Sequence, residues 1–141
     1  MTGFNHGMNG AVIALIVKVP ALAVPLSLAS HYAADFVPHY GFKSHRNLNR
    51  FTAVDFVFAL CLMSILGLLF PQHRLLIWSC MIAAAIPDLV WWFYRKSFKQ
   101  WPRTLDRFTA WHFKINNHVR HWYYDLAWFG MTWAIVLAIK L

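Results

Sequence analysis

Residues 29–41 read ASHYAADFVPHYG, and the reading of this stretch decides how the rest of the chain is organised. It closes a long apolar segment, yet it carries His31, Asp35 and His39 at a spacing of four. On a helix, side chains four apart stack on one face. Ionisable groups at the end of a membrane helix are costly, so they come with a partner and a purpose. The three side chains read as the start of a metal site. A helix-end ion pair between His31 and Asp35 is the plainer alternative.

The composition sets the environment. Of 141 residues, 60% are hydrophobic and 13% charged, with a mean hydropathy of +0.45; a soluble domain carries roughly 25% charged residues. Long uncharged runs point to a bilayer and to an all-α, integral-membrane bundle of about four to five helices in a single domain, 1–141. No cleavable leader is expected, because the N-terminus has no basic region ahead of its apolar run. Cys61 and Cys80 lie within apolar runs and read as small hydrophobes, not as a disulfide.

Apolar helices are predicted at about 6–19, 20–38, 51–70, 74–94 and 121–140, with a basic amphipathic segment at 95–120 lying on the membrane surface. The first two admit two arrangements. Residues 9–31 could form one span kinked at Pro20 and Pro25, with Lys18 at mid-membrane. Alternatively the chain reverses at Lys18-Val19-Pro20, and a short re-entrant arm packs against 20–38 as a hairpin. The hairpin is preferred, because it places Lys18 at an interface where its ammonium reaches water.

Charge then orients the chain. The net charge is +8 and the pI about 9.9. Segment 41–50 contributes Lys43, Arg46 and Arg50, and 95–120 contributes seven more cations, against Lys18, Arg74 and Lys140 on the other side. Ten against three is a positive-inside bias, placing both basic segments in the cytoplasm beneath an inner membrane. These cations suit anionic lipid, so nucleic acid is not an expected partner.

With that topology the polar residues gather on one side. His31, Asp35 and His39 end one helix, Asp55 begins the next, and Asp88 follows Pro87 near the end of the third; His112 lies in the last cytoplasmic segment and Asp125 just after it. His6 joins them only in the hairpin. Imidazole nitrogens with carboxylate oxygens suit a divalent ion, Zn²⁺ first, with Mn²⁺ or Fe²⁺ as alternatives. Such an ion lowers the pKa of a coordinated water. Asp125 or Asp55 then reads as general base or as the orienter of a ligand histidine. For Asp55 the plainer alternative is a cap, or a pair with Arg50 or Lys43.

The motifs NHGMNGAVI, VPALA, SHYAADFVPHYGF, IPDLVWW and WHFKI together resemble the small bacterial inner-membrane metal-dependent hydrolases of the LexA-binding group and its relatives. Ser-His-x-x-x-Asp-x-x-Pro-His is the most specific of these, and Asn5 stands where that group usually has Thr. The resemblance implies a metal set of His6, His31, Asp35, Asp88 and His112, with His39 and Asp125 close by. The leading expectation is a metal-dependent hydrolase at the cytoplasmic lipid interface, acting on an anionic substrate such as a phosphoester or a lipid headgroup. The main rival is a non-catalytic membrane scaffold in which a metal or ion-pair cluster ties helix ends together. An ion conduit ranks below both, because few polar residues face the far side. Bis-histidine haem ligation is the remaining alternative.

Overall fold

In a computed structural model, described for residues 1–40, 48–97, 103–119 and 121–141, the chain is an all-α bundle. Its helices are α1 (Gly3–Val17), α2 (Pro20–Asp35), α3 (Leu48–Leu69), α4 (Arg74–Ser97), α5 (Arg103–Ile115) and α6 (Tyr123–Lys140). A single 3₁₀ turn, Pro71–His73, joins α3 to α4. Among the described residues the count is six rather than four to five, because the basic segment 95–120 contributes helix of its own. Its first residues extend α4 to Ser97, and Arg103–Ile115 forms a helix of its own. Lys43 and Arg46 of the basic loop lie outside the described residues, as do 98–102 and 120.

The first two helices are a hairpin and not one kinked span. Lys18 caps α1 in the left-handed conformation, with φ 58°, and its N–H bonds the Ala14 carbonyl at 3.1 Å. Two residues later Pro20 starts α2 at a position where its missing N–H costs nothing. Lys18 is exposed at this reversal.

The re-entrant arm is more than a partner for α2. Helix α1 lies at the centre of the bundle and packs against α4, α2, α6 and α3. Small residues permit this. A Cβ added at Gly10 would run into the Cys80 carbonyl of α4, and one at Gly7 would come within 3.3 Å of Met81 Cε. Met8, Ala11, Ala14 and Leu15 of α1 meet Leu62, Leu66, Ile77, Cys80, Met81 and Val136 in the core.

Surrounding α1 leaves apolar side chains on the outside. Helices α3 and α4 are long and apolar enough to cross a membrane, over Arg50–Leu69 and within Pro71–Phe93. Their outward faces carry Val54, Leu68 and Leu75 at 68%, 83% and 69% exposure.

A parallel two-residue pairing, β1 (His39–Tyr40) with β2 (His118–Val119), was not expected from the sequence. It sets His39 opposite His118 and Tyr40 opposite Val119. The Asn117 N–H bonds the Asp35 carbonyl at 2.9 Å, and the His39 N–H bonds the Asn117 carbonyl at 3.2 Å. The exit of α2 is thereby pinned to the exit of α5.

Candidate metal centre

The centre forms at the end of the bundle where α1 begins and α2 ends. A buried helix N-terminus needs acceptors for its first N–H groups. Asp55 of α3 supplies two, with its Oδ2 2.7 Å from Gly3 N and its Oδ1 3.0 Å from Phe4 N. The Thr2 carbonyl accepts from Asn5 N and His6 N, both at 3.1 Å. Asp125 of α6 holds Thr2 in turn, its Oδ1 accepting from the Thr2 N–H at 3.2 Å and the Thr2 hydroxyl at 3.0 Å. Asp125 also accepts from Asn5 Nδ2 at 3.0 Å and from Tyr40 N at 2.5 Å. Two carboxylates at a positive helix end are well placed electrostatically. Both residues assigned to proton transfer from sequence thus hold α1 by its N-terminus. Of the two plainer readings of Asp55, a cap or a basic partner, the cap is the one seen, made to the amides of α1.

This anchoring fixes His6 one turn into α1, fully buried, facing α2. Its ring stacks on that of His31 with centroids 3.9 Å apart and 23° between the planes. Asp35, one turn beyond His31 on α2, lies between them. Its Oδ1 is 3.3 Å from His6 Nε2 and its Oδ2 is 3.3 Å from His31 Nε2. Asp88 of α4 approaches from the other side, with Oδ2 3.7 Å from His6 Nε2 and Oδ1 3.7 Å from His31 Nε2. His112 of α5 completes the group, its Nε2 lying 2.7 Å from Asp35 Oδ2 and 3.1 Å from His31 Nε2. His6, His31 and Asp35 form one set of converging donors, and His31, Asp88 and His112 form a second.

The backbone decides which nitrogen of His31 faces the cluster. The Ala84 carbonyl, in the turn of α4 that precedes Pro87, accepts from His31 Nδ1 at 2.8 Å. With the proton on Nδ1, the neutral ring presents a lone pair at Nε2, as a metal-binding imidazole requires.

His39 reaches the cluster by a different route from the one its spacing suggests. Helix α2 ends at Asp35, so His39 stands on β1 and not on the same helical face. Its ring is fully buried, its Nδ1 donates to the Val37 carbonyl at 2.7 Å, and its Nε2 lies 4.0 Å from Asp35 Oδ1. Burial, reinforced by the N-terminal ammonium, holds the His39 imidazole below its ordinary pKa and keeps it neutral. His118 meets it edge-on, with ring centroids 4.9 Å apart. The N-terminal ammonium of Met1 donates to Asp35 Oδ1 at 2.8 Å.

The fit to a divalent cation can be judged on donor spacing. Bonds of 2.0–2.2 Å from a tetrahedral ion place neighbouring ligand atoms about 3.3–3.6 Å apart. The nitrogen–oxygen separations of 3.3 and 3.7 Å around His6 and His31 bracket that range. Moreover, His6 Nε2 and His39 Nε2 are buried with no hydrogen-bond partner among the described residues, an expensive state for a polar atom. The His/Asp cluster can therefore chelate a divalent metal ion. All donors are nitrogen or oxygen, while Cys80 is packed in the apolar core and Cys61 faces outward.

No family model, no curated protein and no solved structure matches this chain.

Proposed function

We propose that this chain is a multi-pass membrane protein that binds a divalent metal ion, Zn²⁺ first among candidates, and uses it to tie four helices together at one end of the bundle. One observation carries the reading. His6 of α1, His31 and Asp35 of α2, Asp88 of α4 and His112 of α5 converge within coordination distance, and a backbone carbonyl turns the His31 lone pair into the cluster. Without a cation, the carboxylates and orphaned imidazoles would be a costly arrangement in an apolar surrounding. The membrane setting is supported by the two long apolar helices and by the lipid-like surface that α3 and α4 present. The excess of Lys and Arg in 41–50 and 95–120 favours a cytoplasmic metal end, in a bacterial inner membrane. In this role the protein serves as a scaffold whose cytoplasmic face is available to partners.

A second reading, hydrolysis at the lipid interface, is favoured by a specific feature. A cavity of about 320 Å³ runs between α3 and α4, from Met63 and Met81 up to Asp88 and His112. Its walls include Phe56, Leu60, Ile82 and Leu89, which are also exposed on the outer surface. From Met63 to Phe51 the α3 wall rises about 18 Å at 1.5 Å per residue, close to the ~15 Å of one leaflet's hydrocarbon. Asp88 is 38% exposed while the rest of its cluster is closed off, so the cavity meets the donors there. A bound ion would supply Lewis-acid chemistry at that point. The chain's own residues would admit an acyl chain and place an anionic headgroup beside Asp88.

Elemental analysis of the detergent-purified protein, before and after chelation, tests the first reading. The expected result is a stoichiometric divalent metal that is lost in His31→Ala. A folded, metal-free protein that takes up none on reloading would overturn it. A chelator-sensitive phosphoester or lipid hydrolysis, abolished by Asp88→Asn with metal retained, would establish the second.

A further inference from the structure

The two carboxylates of the cluster share an unusual orientation. Asp35 turns Oδ1 to His6 and Oδ2 to His31 and His112. Asp88 does the same, with Oδ2 toward His6 and Oδ1 toward His31. Each carboxylate thus has one oxygen on either side of a line that separates His6 from His31. The two imidazoles are stacked 3.9 Å apart, and each presents Nε2 to a different oxygen of each carboxylate. A lone ion held by one oxygen of each carboxylate would leave the other oxygen turned to the other imidazole.

From this division we infer that the site holds two divalent ions, bridged by Asp35 and Asp88. The inference rests on the metal-binding reading above and adds the second ion to it. One ion takes His31 Nε2, His112 Nε2, Asp35 Oδ2 and Asp88 Oδ1. The other takes His6 Nε2, His39 Nε2, Asp35 Oδ1 and Asp88 Oδ2. Each has two imidazoles and two carboxylate oxygens. The ring stacking matches the spacing of paired metal sites, about 3.5–4 Å.

His39 is what the single-ion arrangement leaves unexplained. Its Nδ1 proton is committed to the Val37 carbonyl, so its buried Nε2 carries a lone pair that no donor among the described residues meets in hydrogen-bond geometry. That nitrogen lies on the His6 side, 4.0 Å from Asp35 Oδ1, and both ring nitrogens of His6 are likewise without a hydrogen-bond partner among the described residues. Two unpartnered imidazole nitrogens beside Asp35 Oδ1, at 3.3 and 4.0 Å, are what a second ion would satisfy. The Met1 ammonium, 2.8 Å from Asp35 Oδ1, supplies positive charge at this oxygen and has to move aside for the second ion. Two dications against two carboxylates leave the centre net positive, the electrostatic setting for an oxyanion ligand such as a phosphate group.

The test is metal stoichiometry on the intact, detergent-purified chain. Chelator-stripped protein is dialysed against Mn²⁺ or Zn²⁺ and the bound metal counted per chain. Two ions are expected, with an exchange-coupled electron paramagnetic resonance signal in the Mn²⁺ form. His39→Ala should bind one and lose the coupling. Because that variant could fail to fold, His39→Gln is measured beside it, with helical circular dichroism confirming the fold. One ion in the wild type, or two uncoupled ions, overturns the paired site while leaving metal binding intact. No bound ion in a folded wild type overturns both.

Discussion

The imidazoles of His6 and His31 lie face to face, 3.9 Å apart, although they belong to different helices. That contact exists because the chain turns back at Lys18, and because Asp55 and Asp125 grip the start of α1. Its chemical consequence is that two nitrogens from two helices address opposite oxygens of one carboxylate, Asp35.

The central position of α1 depends on close approach to α4. Gly10→Ala would drive a methyl group into the Cys80 carbonyl, a backbone atom with little room to retreat. Overpacking of this kind costs about 1–3 kcal/mol. We expect a thermal midpoint several degrees lower, measured by circular dichroism in detergent. An unchanged midpoint would mean that α1 and α4 are not in this contact.

Asp55 accepts from two N-terminal amides of α1, which is a stabilising role. Asp55→Ala should cost about 0.5–2 kcal/mol, the range for loss of a helix N-cap, while metal content stays at the wild-type value. Loss of metal without loss of stability would instead place Asp55 within the centre. Asp125, bonded to Thr2, Asn5 and Tyr40, should behave in the same direction.

His39 gives the metal-free protein a pH dependence. Its folded pKa is lowered below the ordinary 6.5, so between the two values the unfolded chain binds more protons than the folded one. Stability conferred by the neutral ring is complete above pH 6.5 and falls as the pH drops through the window below it. Chelator-stripped wild type should therefore lose more stability between pH 7 and pH 5 than His39→Gln does. Equal slopes for the two proteins would contradict this account of the ring.

Much of this centre was legible in the sequence because its parts are local. His31 and Asp35 are one helical turn apart, and Pro87-Asp88 interrupts an apolar run that has no other reason to contain an acid. The hairpin could be preferred from Lys18 alone, since a lysine at mid-membrane is costly. What could not be read is whatever depends on contacts distant in the chain. Nothing local indicates that Asp55 and Asp125 would hold the start of α1, because their partners lie far away in the chain, at residues 3 and 4 for Asp55 and at residues 2, 5 and 40 for Asp125. Nor does the spacing of His39 reveal that α2 stops at Asp35 and that a strand pairing with His118 delivers the ring. The centrality of α1 was hidden as well: Gly7 and Gly10 matter through Met81 and the Cys80 backbone of another helix.

The central claim is that a divalent ion joins four helices through His6, His31, Asp35, Asp88 and His112, and a metal titration followed by thermal unfolding tests it most directly. Adding Zn²⁺ to chelator-stripped protein should raise the unfolding midpoint progressively. A ligand at one hundred times its Kd stabilises the folded state by about 2.7 kcal/mol per site, and Asp35→Asn should abolish most of the rise. A midpoint that stays the same with and without metal, in wild type and Asp35→Asn alike, would contradict it.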